Sequence, residues 1–174
     1  MLHPAAAHFA IVLPVVASVF GVIYMITRSE GMSKSSAYLT IFAALGVIGA
    51  WYTGSQAGPD VYPLLSDEGQ HELIEHKTLG VYLAIAFGVI ALVRFAGYKM
   101  NKFAVEALAI ILLLGATVMT FAQGKEGGEL TYEYGAGVEK HADGLDCLEN
   151  PGDYVEEEEG STEEEGADEA GEEE

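Results

Sequence analysis

Histidine is the residue type in this chain most able to do chemistry. A neutral imidazole can bind a metal or haem iron, and it changes charge near physiological pH. The sequence contains five, at His3, His8, His71, His76 and His141. Two of them precede or open the first long apolar segment and two lie just before the third, so the two pairs are expected at matching depth in a folded bundle.

Two helices that each present a histidine at the same depth are typical of four-helix membrane cytochromes that hold a b-type haem. Five residues of helix turn by about 140°, so His3 and His8 cannot both point at one central atom, and neither can His71 and His76. We expect His8 and His76 to face the bundle interior as axial ligands of haem b. His3 is a further cofactor-binding candidate, and it is expected, like His71, nearer to the surface.

A metal ion without a porphyrin is the alternative. Residues 71–76 read HELIEH, which gives each histidine a glutamate four positions away on the same helix face. His71 or His76 could therefore bind copper or zinc together with His3 or His8. The segment is not HExxH, which excludes a zinc peptidase of that type, and a solvated acidic helix start would explain the glutamates without any metal.

Four apolar segments must position these histidines. They cover residues 5–27, 36–57, 77–96 and 103–123. Each is about 20 residues long, and a helix of about 20 residues spans the hydrocarbon core of a bilayer. Besides Lys77 at a boundary, the fully charged residues inside them are Arg94 and Glu106, both near an end. The sequence predicts an all-α membrane protein, a bundle of four transmembrane helices.

Basic residues in the short loops predict the orientation. Loops one and three carry five of the eight bases, Arg28, Lys34, Arg94, Lys99 and Lys102. Such loops stay in the cytoplasm. The acidic loop at residues 58–76 and both termini are therefore expected in the periplasm, with the chain in the bacterial inner membrane.

The negative charge is concentrated in the C-terminal part of the chain. The net charge of the 174 residues is −19, from 8 Lys and Arg against 27 Asp and Glu, and residues 143–174 hold 16 of the acids and no base. We predict a transmembrane domain at 1–124, a periplasmic segment at 125–153 and a disordered acidic tail at 154–174. The tail either solvates the chain or docks a basic soluble partner, for instance a c-type cytochrome. The absence of a basic stripe excludes a nucleic-acid binder.

Two motifs carry a family resemblance. Residues 2–9, LHPAAAHF, resemble the HPxxxHF start of DUF2231, a family of four-helix bacterial membrane proteins, and residues 127–138, GGELTYEYGAGV, resemble its closing GGxLVYxxGxGV. His76 fits the mid-chain histidine of the family, whereas His71 has no clear counterpart and Tyr134 stands where many members have histidine. Some relatives are fused to or encoded beside Rieske or c-type cytochrome modules, so the resemblance implies electron transfer.

These observations favour a b-type cytochrome-like subunit that transfers electrons near the periplasmic face. The alternative is a non-catalytic membrane subunit or scaffold of a larger complex, with a histidine metal site or no cofactor. A small transporter ranks last, because no charged residue lies at mid-span. The sequence has no nucleophile–base pair and no phosphate loop, so we expect an electron-transfer or accessory subunit rather than an autonomous enzyme.

Overall fold

Four long helices make up nearly all of the fold. A computed structural model of the protein describes residues 2–137, so the acidic tail at 154–174, Cys147 and His141 lie outside the described residues. The elements are α1 (His3–Thr27), α2 (Glu30–Val61), a 3-10 turn (Tyr62–Leu64), α3 (Asp67–Met100) and α4 (Phe103–Tyr132). Residues 2–137 contain no β-strand. The prediction of an all-α protein with four helices long and apolar enough to cross a membrane is confirmed.

Three of the helices are longer than the spans predicted from the apolar segments. α2, α3 and α4 have 32, 34 and 30 residues, which corresponds to about 48, 51 and 45 Å at 1.5 Å per residue. A hydrocarbon core is only about 30 Å thick. The predicted domain boundary at residue 124 falls inside α4, which continues to Tyr132.

The helices begin and end at recognisable signals. The Ser66 hydroxyl accepts a hydrogen bond from the backbone N–H of Gly69 at 3.2 Å and caps α3. Asp67 in the first turn of α3 complements the helix dipole. Asn101, directly after α3, adopts a left-handed conformation with φ 52° and caps the helix, and Arg28 caps α1 in the same way with φ 55°.

Short connections make neighbouring helices antiparallel. Two residues separate α1 from α2 and α3 from α4, and each helix packs against the next, with α4 returning to α1. The bundle therefore has two ends. We call the end with the starts of α1 and α3 the histidine end, and the end with the starts of α2 and α4 the arginine end.

Small residues fill much of the interior. Ala17, Ala43 and Ala109 are fully buried, and the first two belong to the same core cluster as the larger side chains of Phe87 and Leu113. Many large aliphatic side chains point outwards instead, among them Ile26, Leu92 and Val118. Such an apolar outer surface is what a lipid-facing bundle presents, because its helices need close contact inside and hydrocarbon outside.

Candidate functional site

The histidine end brings two imidazoles together. The rings of His3 on α1 and His76 on α3 have centroids 6.5 Å apart, and their planes lie at 83° to each other. Both side chains are partly buried. α1 and α3 run in the same direction. His3 is the first residue of α1, whereas His76 is the tenth residue of α3, because α3 begins at Asp67.

α2 holds the His3 ring. Nδ1 of His3 lies 2.9 Å from the backbone carbonyl oxygen of Ala50 and 3.3 Å from the hydroxyl of Thr53. A carbonyl oxygen only accepts, so Nδ1 carries the proton and Nε2 keeps its lone pair. A Cβ built on Gly54 would lie 2.8 Å from Cε1 of this ring. Only glycine leaves room for the imidazole there.

α4 holds the His76 ring. Nε2 of Gln123 donates to Nδ1 of His76 at 3.0 Å and to the His76 backbone carbonyl at 2.8 Å. The bond to the carbonyl fixes the orientation of the amide, so Nδ1 of His76 accepts and its Nε2 carries the proton. A Cβ on Gly127 would lie 3.1 Å from Cε1 of the ring. The two imidazoles thus have opposite tautomers.

Two oxygen atoms beside His76 have no hydrogen-bond partner. They are Oε1 of Gln123 and Oε2 of Glu126, and both are buried. Oε2 of Glu126 lies 3.9 Å from Nδ1 of His76, which is beyond hydrogen-bonding distance. Buried polar atoms in folded proteins nearly always have a partner. This end of the bundle therefore has acceptor capacity that its own side chains do not satisfy.

His8 does not face the interior, and the prediction that it does so in place of His3 is wrong. Its side chain is exposed, and its Nδ1 donates to the backbone carbonyl of Pro4 at 2.7 Å. The reason is helical register. His3 is in register with the buried residues of α1, whereas His8 is in register with exposed ones. The buried set is Pro14, Ala17, Gly21 and Tyr24, and the exposed set is Val12, Val19 and Ile26.

His76 faces the interior, as the prediction places it, and His71 lies on the surface. His76 is seven residues before Leu83, which is on the buried stripe of α3. The His71 ring is exposed, with Nδ1 3.8 Å from the Glu75 carboxylate. Among residues 2–137, the one trio of His, Cys, Asp or Glu ligand atoms within 4.8 Å of one another is His71, Glu72 and Glu75. These lie along one exposed helix face, which is common without any metal.

The segment after α4 folds back over the start of α3. The backbone N–H of Ala136 donates to the carbonyl of Leu130 at 2.8 Å, and the ring of Tyr134 lies 3.1 Å from where a Cβ on Gly69 would be. Burial raises the pKa of the Tyr134 hydroxyl above its ordinary value of 10.0, and the nearby carboxylates of Glu72 and Glu68 add to the shift. The aromatic ring packs against a helix end that would otherwise face solvent.

The arginine end contains a second polar cluster that sequence reasoning missed. Nη1 of Arg94 donates to Oε2 of Glu106 at 2.6 Å, and the two residues are 0% and 1% exposed. The hydroxyl of Tyr24 donates to Oε1 of Glu106 at 2.8 Å, and the hydroxyl of Ser33 donates to Oε2. Nη2 of Arg94 donates to the Ser33 carbonyl at 2.9 Å. One carboxylate thus joins all four helices.

The signal for this cluster is present in the sequence. Arg94 is seven residues after the fully buried Phe87, so it continues the interior stripe of α3. Its position near the end of an apolar segment suggested a loop-flanking base instead. Gly97 lets Glu106 approach closely, because a Cβ there would lie 2.9 Å from Cγ of Glu106.

Comparison with known proteins gives one result. The family model for a predicted membrane protein, DUF2231, matches residues 1–140, which is most of the chain and includes all four helices. No curated protein and no solved structure gives a significant match.

Proposed function

The chain belongs to the DUF2231 family of predicted membrane proteins, and we propose that it is an electron-transfer subunit that holds one metal ion between His3 and His76. The observation that carries the proposal is the meeting of two partly buried imidazoles from separate helices, with ring centroids 6.5 Å apart.

The spacing of the rings suits a single ion. Metal–imidazole bonds of about 2.0–2.1 Å place the centroids of two opposed imidazoles about 6 Å apart, close to the 6.5 Å between His3 and His76. The Nδ1–H of His3 donates to a backbone carbonyl. This is the usual outer partner of a metal-binding histidine, because it leaves Nε2 free to bind the ion.

Haem b fits this arrangement less well than one ion does. Two imidazoles are the right donors for haem iron, but the ring of His3 lies directly against Gly54 and the ring of His76 against Gly127. Backbone atoms of α2 and α4 therefore occupy space beside both rings that a macrocycle would need. Of the two metals that the sequence suggests in place of haem, copper and zinc, only copper combines affinity for imidazole with one-electron chemistry.

The location of the site follows from the distribution of bases. Arg28, Lys34, Lys99 and Lys102 lie at the arginine end, which the positive-inside rule assigns to the cytoplasm. The histidine end then faces the periplasm of a bacterial inner membrane. We further propose that the electron partner is a periplasmic redox protein, a c-type cytochrome or a Rieske protein, within a larger membrane complex. A basic partner is supported by the acidic side chains at this end of the bundle, which are Glu68, Glu72, Glu75 and Glu129.

Two matched pairs of variants test the metal site. The full chain is purified in detergent, and its metals are measured by elemental analysis before and after loading with copper. We expect His3→Ala and His76→Ala to lose the ion, and His8→Ala and His71→Ala to retain it, because those two rings are exposed. Equal loss in His8→Ala and His3→Ala, or no metal in the loaded wild type, would refute the proposal.

A visible spectrum of the same preparation decides between the ion and haem. A Soret band lost in His3→Ala or His76→Ala would replace the single ion with haem b. For an electron-transfer site we expect the bound ion to be oxidised and reduced reversibly. The copper EPR signal monitors this change, because it should disappear on reduction and return on oxidation. A bound ion that never changes oxidation state would favour the scaffold alternative.

A further inference from the structure

We infer that Glu126 is a third ligand of this site, which would make it selective for a divalent ion and places Cu²⁺ first among the candidates. The inference rests on the proposed function and deepens it. It assigns a role to the buried carboxylate oxygen beside His76, which neither the fold nor the histidine pair explains.

Glu126 is set apart from the other carboxylates of α4. Its side chain is 32% exposed, yet its Oε2 is buried and has no hydrogen-bond partner. The nearest lysine in sequence does not neutralise it, because Lys125 forms its ion pair with Glu129 on the exposed face of α4. A buried carboxylate oxygen without a donor is costly. A cation at this position would remove that cost.

The distance between donors fits a shared ion. Oε2 of Glu126 lies 3.9 Å from Nδ1 of His76. With bonds of about 2.0–2.2 Å, two ligand atoms of one ion lie about 3.3–4.2 Å apart, depending on the bond angle. The ion can therefore bind between these two atoms without movement of α3 relative to α4.

Gln123 donates a hydrogen bond to the nitrogen of His76 that the ion would bind. Its Nε2 donates to Nδ1 of His76 at 3.0 Å. This hydrogen bond uses the lone pair of Nδ1 that would otherwise bind the ion. Its Oε1 is buried and has no partner. Rotation of the amide would release Nδ1 for the ion. The ring of His76 needs no change of tautomer, since Nδ1 already carries the lone pair.

His3 completes the set from the opposite side. The trio of His3, His76 and Glu126 is more open than the 4.8 Å that the exposed trio on α3 satisfies. Since Oε2 of Glu126 already lies 3.9 Å from Nδ1 of His76, the ion must draw the side chain of His3 inwards. His3 is only partly buried, so its ring has room to move. The complete site offers two nitrogens and one oxygen from three helices.

This donor set determines the class of ion. Two imidazoles and a carboxylate bind divalent first-row metals, among which Cu²⁺ has the highest affinity in the Irving–Williams order. Cu⁺ prefers softer ligands and gains less from a carboxylate. The negative charge of Glu126 also compensates part of the charge of the ion in a low-dielectric region.

Glu126→Gln and Glu129→Gln are the matched variants that test the inference. Both remove one negative charge from α4, one helical turn apart, but only Glu126 has an unpartnered oxygen directed at the site. The full chain in detergent is titrated with Cu²⁺, and the bound ion is examined by EPR. We expect Glu126→Gln to weaken binding at least about tenfold and to change the copper hyperfine splitting. Glu129→Gln is expected to change neither.

The outcomes separate this inference from the proposed function. If His3→Ala and His76→Ala abolish Cu²⁺ binding while Glu126→Gln binds like the wild type, the third ligand is refuted and the histidine site stands. If the wild type binds no Cu²⁺, both are refuted. An equal loss in Glu126→Gln and Glu129→Gln would reduce the role of Glu126 to general electrostatics and would also overturn the inference. A melting curve unchanged by Glu126→Gln shows that the fold is intact.

Discussion

The two ends of the bundle use polar residues in opposite ways. Each end gathers polar groups from all four helices. At the arginine end the Glu106 carboxylate receives three donors, from Arg94, Tyr24 and Ser33, and the cluster is closed off from the surface. At the histidine end the rings are partly exposed, and Gln123 and Glu126 keep oxygens without partners. A cluster that satisfies its own groups holds helices together, whereas one with spare acceptors can receive a ligand.

Nearly all of the buried polar atoms at the arginine end have a hydrogen-bond partner. Nε of Arg94 is buried without an acceptor, but the guanidinium carbon lies 5.4 Å from the ring centroid of Tyr24, in cation–π range. No ligand needs to enter there. The same contrast predicts where substitutions destabilise the bundle and where they affect binding instead.

The largest loss of stability is expected at the ion pair. Glu106→Leu leaves the Arg94 guanidinium buried without its counter-charge, which should lower the free energy of unfolding by about 3–5 kcal/mol. The double variant Arg94→Met with Glu106→Leu removes both charges and should recover most of that loss. Unfolding in mixed detergent and SDS micelles measures both. Equal stability of the single variant and the wild type would contradict a structural role for this end.

A smaller difference is expected between two glycines, one at each end. Gly97→Ala places a methyl group 3.0 Å from the backbone nitrogen of Glu106. α3 and α4 must then separate, at a cost of about 1–3 kcal/mol. Gly54→Ala meets only the His3 ring, which can rotate outwards, so it should mainly reduce metal binding.

Gly49→Ala serves as the control for both, because a Cβ there has no neighbour within 4 Å. Stability curves and copper titrations of the three variants give the comparison. If Gly54→Ala destabilises the fold as much as Gly97→Ala while it keeps full metal affinity, the histidine end has a structural role and the assignment of ligand binding to it is wrong.

Smaller effects on stability are expected at the histidines of α1, with His3 affected more than His8. His3→Ala removes the hydrogen bond from Nδ1 to the Ala50 carbonyl, which contributes about 1 kcal/mol. His8→Ala removes an exposed ring and should change the free energy of unfolding by less than about 0.5 kcal/mol. The same micelle titration measures both. A larger loss for His8→Ala would mean that its ring packs inside the bundle.

The sequence predicts well where the helices lie along the chain. It predicts poorly how each helix is rotated about its own axis, and therefore which side chains face the interior of the bundle. Length and hydropathy identify each span, because a continuous apolar segment of about 20 residues crosses lipid as a helix, which satisfies its own backbone groups. The apolar segments underestimate α2 mainly at its start, and they underestimate α3 and α4 mainly at the histidine end. In each case the additional turns are polar and resemble loops. Nothing in hydropathy marks a helix that continues into water.

The site depends on rotation, and this is where the prediction fails. His3 and His8 are equally good candidates until the buried stripe of α1 is traced through Ala17 and Tyr24. Arg94 and Glu106 are 12 residues apart on different helices. Their contact can be predicted only when the buried faces of α3 and α4 are both known. The parallel direction of α1 and α3, by contrast, follows from the order of the spans. The expected matching depth of the two histidine pairs does not hold, because His3 lies beside His76, which offsets the pairs by about 7.5 Å at 1.5 Å per residue.

The single carboxylate that joins four helices at the arginine end also makes that end a pivot. A bilayer thicker or thinner than the bundle is accommodated by helix tilt, and tilt about a fixed end displaces the opposite end most. We therefore expect the separation of α1 and α3 at the histidine end to change with the acyl-chain length of the surrounding lipid. The thickness of the membrane would then influence how closely the imidazoles of His3 and His76 approach each other.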